Sequence, residues 1–206
     1  MPEESHTRFN VIGSSGSGKS TFSRRLARQL DIPYVELDAI YWGPDWTEPD
    51  DQTYFQNLDT ALSGDSWVLD GNYSRTTHIK WKRVQSVIWL DLSFTRALYQ
   101  SLKRTIHRAW TQKELWPGTN NRESFRKSFL SRDSIILWAI TSHAPLRKRY
   151  LKTINDPAHA HIDFIRLRSH QEVEAYLSSL KQIACTSAPT KPQITTPSSN
   201  SGKTAN

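Results

Sequence analysis

Gly13-Ser14-Ser15-Gly16-Ser17-Gly18-Lys19-Ser20, followed by Thr21, is the stretch on which the reading of this chain turns. It meets the pattern G-x-x-x-x-G-K-[ST] at every position. The glycines let the backbone curl until its N–H groups face inward as an anion nest. A helix that starts just after them adds its positive end to the same spot. Lys19 can then reach the β- and γ-phosphates of a nucleoside triphosphate, and the Ser20 hydroxyl can ligate Mg²⁺. The flanks suit this geometry. Arg8-Phe9-Asn10-Val11-Ile12 reads as a short strand before the loop, and Phe22, Leu26 and Leu30 mark one face of a helix after it. Residues Gly13 to Thr21 are therefore expected to hold ATP or GTP with Mg²⁺. The loop leaves the rest of the chemistry open, because motors, GTPases and kinases share it.

Outward from the loop, strand and helix patterns alternate. Tyr34 to Leu37 reads as a second strand ending at Asp38. Tyr54, Leu58 and Leu62 mark a helix with Pro49 in its first turn and Gly64 at its stop. Trp67-Val68-Leu69 and Ser86 to Leu90 read as the third and fourth strands. Leu98, Leu102 and Ile106 mark the face of a helix, and residues 111–121, with Pro117-Gly118 and Asn120-Asn121, form a loop. Phe125, Phe129, Ile136 and Ile140 suggest a further helix ending before Pro145. Ile162 to Leu167 is a fifth strand, and Ser169-x-x-Glu172 is a capping box for a last helix through Tyr176, Leu177 and Leu180. Such alternation predicts an α/β fold, a parallel sheet covered on both faces, with ligands at the carboxyl ends of its strands. Residues 1–185 are expected to form one domain, and the polar stretch 186–206 a disordered tail.

The charge is unevenly placed. The chain carries +7 overall, yet residues 96–152 hold 13 Lys/Arg against Glu114, Glu123 and Asp133. A surplus of that size points to phosphate groups or nucleic acid as a partner. The longest apolar run, Ile135 to Ile140, is far short of the roughly 20 residues that span a membrane. The polar, acidic start Met1-Pro2-Glu3-Glu4 lacks the features of a signal peptide, so a cytoplasmic location is expected. Cys185 is the single cysteine and can form neither an internal disulfide nor a zinc cluster.

The other sharp features sit where the strands end. Asp70 follows the third strand and can hold a Mg²⁺-bound water, with Gly71 and Asn72 beside it for a substrate. Arg75 is spaced to pair with an acceptor phosphate or a moving phosphoryl group. Asp38 can accept a hydrogen bond from an acceptor hydroxyl or deprotonate it, and Trp42 and Trp46 can stack on a base or wall off water. Asp91-Leu92-Ser93 reads as a helix cap. Among the arginines around the 111–121 loop, Arg104 and Arg122 are selected as the pair that clamps phosphates and neutralises transition-state charge.

Leu69-Asp70-Gly71 with Arg75 resembles the L-D-G-F-P-R segment of adenylate kinases, with one extra residue before the arginine. A fuller likeness spans about Phe9 to Ile154. It is carried by Glu36 to Trp42, Trp67 to Tyr73, Val87 to Asp91, Asn121 to Phe125 and Ser131 to Trp138. On these segments the chain resembles the small P-loop proteins called DNA topology modulation proteins, the FlaR-type relatives of adenylate kinase. The resemblance implies a three-layer P-loop NTPase fold with strand order 2-3-1-4-5 and a helical lid, about 104–132, between strands four and five. It implies ATP and Mg²⁺ contacts at Lys19 and Ser20, and a metal-side acid at Asp70. It leaves the acceptor open.

The function expected from these readings is transfer of the γ-phosphoryl of Mg·ATP to a small, nucleotide-like acceptor near Asp38, Asn72 and Arg75, with Lys19, Asp70 and Arg122 as the catalytic groups. A second reading is a nucleic-acid-associated ATPase or regulator that uses residues 96–152, with Trp110, Trp116 and Trp138 stacking on bases. A third is a nucleotide sensor whose basic lid recruits a protein.

Overall fold

A computed structural model describes residues 6–123 and 135–186 of the chain. The first strand, β1 (Arg8–Gly13), is buried on both faces along nearly its whole length, and it lies at the centre of a five-stranded parallel sheet. With β2 (Tyr34–Glu36), β3 (Trp67–Asp70), β4 (Ser86–Leu90) and β5 (Asp163–Leu167), the order is β2-β3-β1-β4-β5. This is the expected topology.

Successive strand residues point to opposite faces, and the two sides of the sheet separate cleanly. Phe9, Val11, Val68, Ile88 and Leu90 pack on Phe22 and Leu26 of α1 (Lys19–Leu30) and on Val173 and Leu177 of α7 (His170–Thr186). Ile12, Trp67, Leu69, Val87 and Trp89 face the other way. They meet α2 (Leu37–Tyr41), α3 (Asp51–Ala61), α4 (Thr77–Arg83) and α6 (Ile135–Ile154) through Leu37, Tyr54, Leu58, Trp81 and Tyr150. Asn10 lies fully buried in β1. Its amide donates to the carbonyls of Leu69 and Gly71 and accepts from the Trp81 indole, so no polar atom is left over.

Several local expectations shift. Leu37 opens α2 instead of ending β2, because the chain turns there to seat its side chain against Gly71. Asp50, not Pro49, begins α3: its carboxylate accepts from the Thr53 N–H, leaving Pro49 outside the helix. The Ser half of the capping box at α7 forms, with Ser169 accepting from Glu172 N–H, whereas Glu172 reaches one residue further back to accept from Arg168 N–H. Asp91 is not a cap. It receives Arg147 at 3.2 Å and Arg166, and Ser93 stands at the N-cap of the next helix.

That helix, α5 (Phe94–Thr111), buries a different face from the one its large residues suggest. Ala97, Ser101, Thr105 and Ala109 are buried, whereas Ile106 and Trp110 are 43% and 80% exposed. The reason is proximity, since the phosphate loop presses on α5 and only small side chains fit between. Helix α6 runs through Pro145 instead of ending before it. Leu146, Tyr150, Leu151 and Ile154 pack onto the core beyond that point and offset the roughly 3 kcal/mol a helical proline costs. Phe125, Phe129 and the stretch 187–206 lie outside the described residues. Among the described residues no helix is long and apolar enough to cross a membrane.

Lys80 is buried on α4 and donates to the Tyr73 carbonyl at 3.1 Å. Desolvation, with Arg149 nearby, pushes its ammonium from 10.5 down to about 7. Between those values the unfolded chain binds more protons than the folded one, so stability should rise with pH from about 7 towards 10. Lys80→Met removes the burden, and the Tyr73 carbonyl keeps its bonds from the Thr76 N–H and hydroxyl. Melting curves at pH 7 and pH 9 should show the variant several degrees above wild type at pH 7, with a flatter pH response. A lower melting point at pH 7 would mean that the bond to Tyr73 outweighs desolvation.

Candidate active site

The register of the sheet brings the chemistry together. Glu36 pairs with Asp70, Asp70 with Val11, and Gly13 with Leu90, so β1, β2, β3 and β4 all end along one edge. The phosphate loop crowns that edge. Gly18, at φ 85°, is the N-cap of α1, whose first turn carries no acidic residue. Gly16, at φ 77°, is wedged against α5: a Cβ there would lie 2.0 Å from the Ala97 carbonyl and 2.8 Å from the Ser101 nitrogen. No other residue fits. Ser15 and Ser17 are buried beneath the loop, Ser14, Lys19 and Ser20 are half-buried at its mouth, and Thr21 is exposed.

Arg104 reaches this loop from α5. Its guanidinium donates to the Ser15 hydroxyl at 3.0 Å, and burial followed by the neighbouring Arg108 pulls its pKa below the ordinary arginine value. Arg108 in turn pairs with the buried Glu123 at 3.0 Å. Arg122 is exposed and makes no hydrogen bond or ion pair among the described residues, so of the two selected arginines the fold brings only Arg104 to the loop.

Among the described residues, three buried polar atoms around the cradle have no hydrogen-bond partner: Ser17 Oγ, Arg104 Nε and Asp70 Oδ1. Each such atom costs about 1–3 kcal/mol unless a ligand satisfies it. Phosphate oxygens suit the first two, and a hydrated dication suits the third. Ser20 and Asp70 are hard oxygen donors, the type Mg²⁺ takes when it also binds phosphates. The residues present therefore fit both groups.

Asn72 and Gly71 perform structural tasks. The Gly13 N–H donates to Asn72 Oδ1 at 3.1 Å and the Asn72 amide donates back to the Gly13 carbonyl. This clamps the entry of the phosphate loop to the end of β3. Gly71, at φ 146°, admits Leu37, whose Cβ lies 2.6 Å from where a Gly71 Cβ would stand.

Asp38 sits in the first turn of α2, open to solvent on one side yet enclosed enough that desolvation raises its carboxyl above the ordinary aspartate value. Lys19 opposes that rise, as does the facing Tyr73 hydroxyl, whereas Asp70 and Glu36 add to it. Burial first, then the Asp38 charge, pushes the Tyr73 phenol well above its usual value. The Tyr34 hydroxyl lies between Asp70 Oδ2, at 3.0 Å, and Glu36 Oε2, at 3.1 Å.

Beside these groups the rings of Tyr41, Trp42, Trp46 and Trp116 meet edge to face at 4.8, 5.5 and 6.2 Å. Trp116 comes from the loop after α5, and its indole donates to Glu36 at 3.4 Å. The same loop is latched to residues 43–46. Buried Asn121 accepts from the Trp46 N–H and donates to the Gly43 carbonyl, and Asp45 N–H donates to the Thr119 carbonyl. Arg75 belongs to the same aromatic cluster. It pairs with Asp51 at 2.9 Å and lies over the Tyr41 and Tyr54 rings. Sequence reasoning missed Tyr34, Tyr73 and Asn121, and it passed over Arg108, one of the arginines around the 111–121 loop, in favour of Arg104 and Arg122. The four-residue spacing of Arg104 and Arg108 was a usable signal for the latter.

No family model matches the chain, so its likeness to the DNA topology modulation proteins rests on the motifs quoted above. Over 71 residues it is 32% identical to the cytidylate kinase of Maridesulfovibrio salexigens, a match covering 34% of this chain and 32% of that protein. The chain thus spans about a third of the length of the curated relative it matches. Among solved structures, the shikimate kinase from Acinetobacter baumannii in complex with shikimate aligns with a TM-score of 0.50 at 15% identity, covering 91% of this chain and 97% of that one. A gluconokinase from Sinorhizobium meliloti 1021 aligns with a TM-score of 0.45 at 15% identity, covering 88% and 98%. The chain shares the fold of that shikimate kinase, a parallel sheet of order β2-β3-β1-β4-β5.

Proposed function

We propose that this protein transfers the γ-phosphoryl group of ATP to a hydroxyl of a small molecule. The observation that carries this reading is Asp38, a carboxylate in the first turn of α2 at the end of β2, close enough to Lys19 and Asp70 to feel both charges. Backbone N–H groups of Gly13 to Ser20 hold the phosphates, and Lys19 and Arg104 offset charge on the transferring group. Bound to Ser20 and, through water, to Asp70, Mg²⁺ would neutralise charge on the phosphate oxygens. Asp38 orients the acceptor hydroxyl and takes its proton as the new O–P bond forms and the bond to the leaving ADP breaks. Tyr73 holds the Asp38 carboxylate in place, and the Trp42–Trp46–Trp116 wall excludes water, which would otherwise compete as acceptor.

A base of this kind imposes a pH profile. kcat/KM should rise through a carboxyl pKa above the ordinary value of about 3.9 as Asp38 loses its proton. Asp38→Asn should lower kcat about 10²–10⁴-fold, remove that acid limb and leave ATP binding nearly unchanged. A variant with wild-type turnover would assign the proton to another group.

A second reading, a nucleic-acid-associated ATPase, has the 80% exposure of Trp110 in its favour. Against it, part of the basic surplus already has partners in the fold: Arg104 bonds Ser15, Arg108 pairs with Glu123 and Arg147 with Asp91. DNA binding that falls steeply between about 50 and 200 mM salt would favour this second reading.

A further inference from the structure

The two sides of the site carry opposite charge. The donor side presents Lys19 and Arg104. On the acceptor side, the segment from Glu36 to Asp51 holds six carboxylates (Glu36, Asp38, Asp45, Glu48, Asp50 and Asp51) and no lysine or arginine. Among the described residues, Lys19 and Arg104 act on Asp38 from the donor side, and two arginines that reach this group from other elements are each paired with one of its carboxylates. Arg24 pairs with Glu36 at 2.8 Å, and Arg75 pairs with Asp51 at 2.9 Å. A cation that would receive an acceptor phosphate, the role for which Arg75 is spaced, is thus tied to a carboxylate and stacked on Tyr41 and Tyr54.

The remaining surface is aromatic. Trp42, Trp46 and Trp116 are half-buried, and their edge-to-face packing leaves ring area at the mouth of the site. Rings of this kind bind flat or alkyl faces and attract cations. A phosphate dianion in the same place would meet like charge from Asp38, a repulsion that selects against such ligands.

We infer that the acceptor is an unphosphorylated hydroxyl compound, neutral or cationic, such as a nucleoside, a sugar or an amino alcohol, and not a nucleotide. This inference rests on the phosphotransferase reading above. The balanced step is transfer of the phosphoryl group from ATP to the acceptor oxygen, giving ADP and a phosphate monoester, with the hydroxyl proton passing to Asp38.

The test uses the full chain with Mg²⁺ and γ-labelled ATP against matched pairs: adenosine and AMP, cytidine and CMP, glucose and glucose 6-phosphate, ethanolamine and phosphoethanolamine. Label should move onto at least one unphosphorylated member, and its phosphorylated mate should react at least about 100-fold more slowly. Transfer to a monophosphate whose unphosphorylated mate is inert would overturn the inference while leaving the transferase reading intact. Label that stays on ATP, or appears only as inorganic phosphate with every pair, would overturn that reading and this inference with it. A second variant isolates the charge. Asp51→Asn frees Arg75 and should narrow the discrimination about tenfold, whereas unchanged discrimination would overturn its electrostatic basis.

Discussion

Lys19→Ala should abolish phosphoryl transfer, lowering kcat/KM by about 10³-fold or more, in a protein that remains folded. Lys19 opens α1 at the mouth of the cradle, half-buried and outside both core clusters. Its removal creates no cavity, and alanine is a good residue for a first helical turn. What disappears is the compact cation that reaches the transferring phosphate. A second consequence follows from the electrostatics. Lys19 is the strongest of the influences that hold the Asp38 carboxyl down, so residual activity should show its acid limb at higher pH. Steady-state kinetics with a melting curve checks both. Unchanged turnover in the folded variant would remove the phosphate loop from the mechanism.

Asp70→Asn should leave nucleotide binding largely intact and reduce Mg²⁺-dependent turnover by two to four orders of magnitude. The variant keeps an oxygen to accept from the Tyr34 hydroxyl, so that bond survives. The atom without a partner, Asp70 Oδ1, is the one whose charge the substitution removes. The Mg²⁺ concentration for half-maximal rate should therefore rise as well. Asp70 ends a strand, not a helix, which leaves it no capping task. A variant that loses only melting temperature, with normal Mg²⁺ dependence, would show that the carboxylate serves packing alone.

The parts legible in the sequence are those in which chemistry and spacing coincide. The eight residues from Gly13 to Ser20 describe their own backbone, because glycine positions, cation and hydroxyl follow from one loop geometry. The alternation of apolar runs conveyed the sheet. What escaped depends on distances between elements. Large apolar residues on α5 signalled a buried face, yet Gly16 comes so close to the helix that Ala97 and Ser101 had to take that side. Helix α4 is seven residues of Thr77-His-Ile-Lys-Trp-Lys-Arg83, too short and too basic to announce itself. Asn72 looked like a substrate contact because it follows Asp70 and Gly71, but its amide is matched to both backbone groups of Gly13, a partner 59 residues away. Arg75 pairs across 24 residues with Asp51 for a similar reason. Local pattern carries no information about such partners.

The fate of the γ-phosphoryl group tests this chemistry most directly. Mg·ATP is incubated with the protein and an acceptor identified from the matched pairs, and ADP, inorganic phosphate and phosphorylated acceptor are measured together over time. The account predicts that ADP and phosphorylated acceptor appear in equal amounts, that inorganic phosphate stays minor, and that omitting the acceptor nearly stops ADP formation. ADP matched by inorganic phosphate at the same rate with and without acceptor would contradict it, because the groups gathered around Asp38 would then be serving hydrolysis and not transfer.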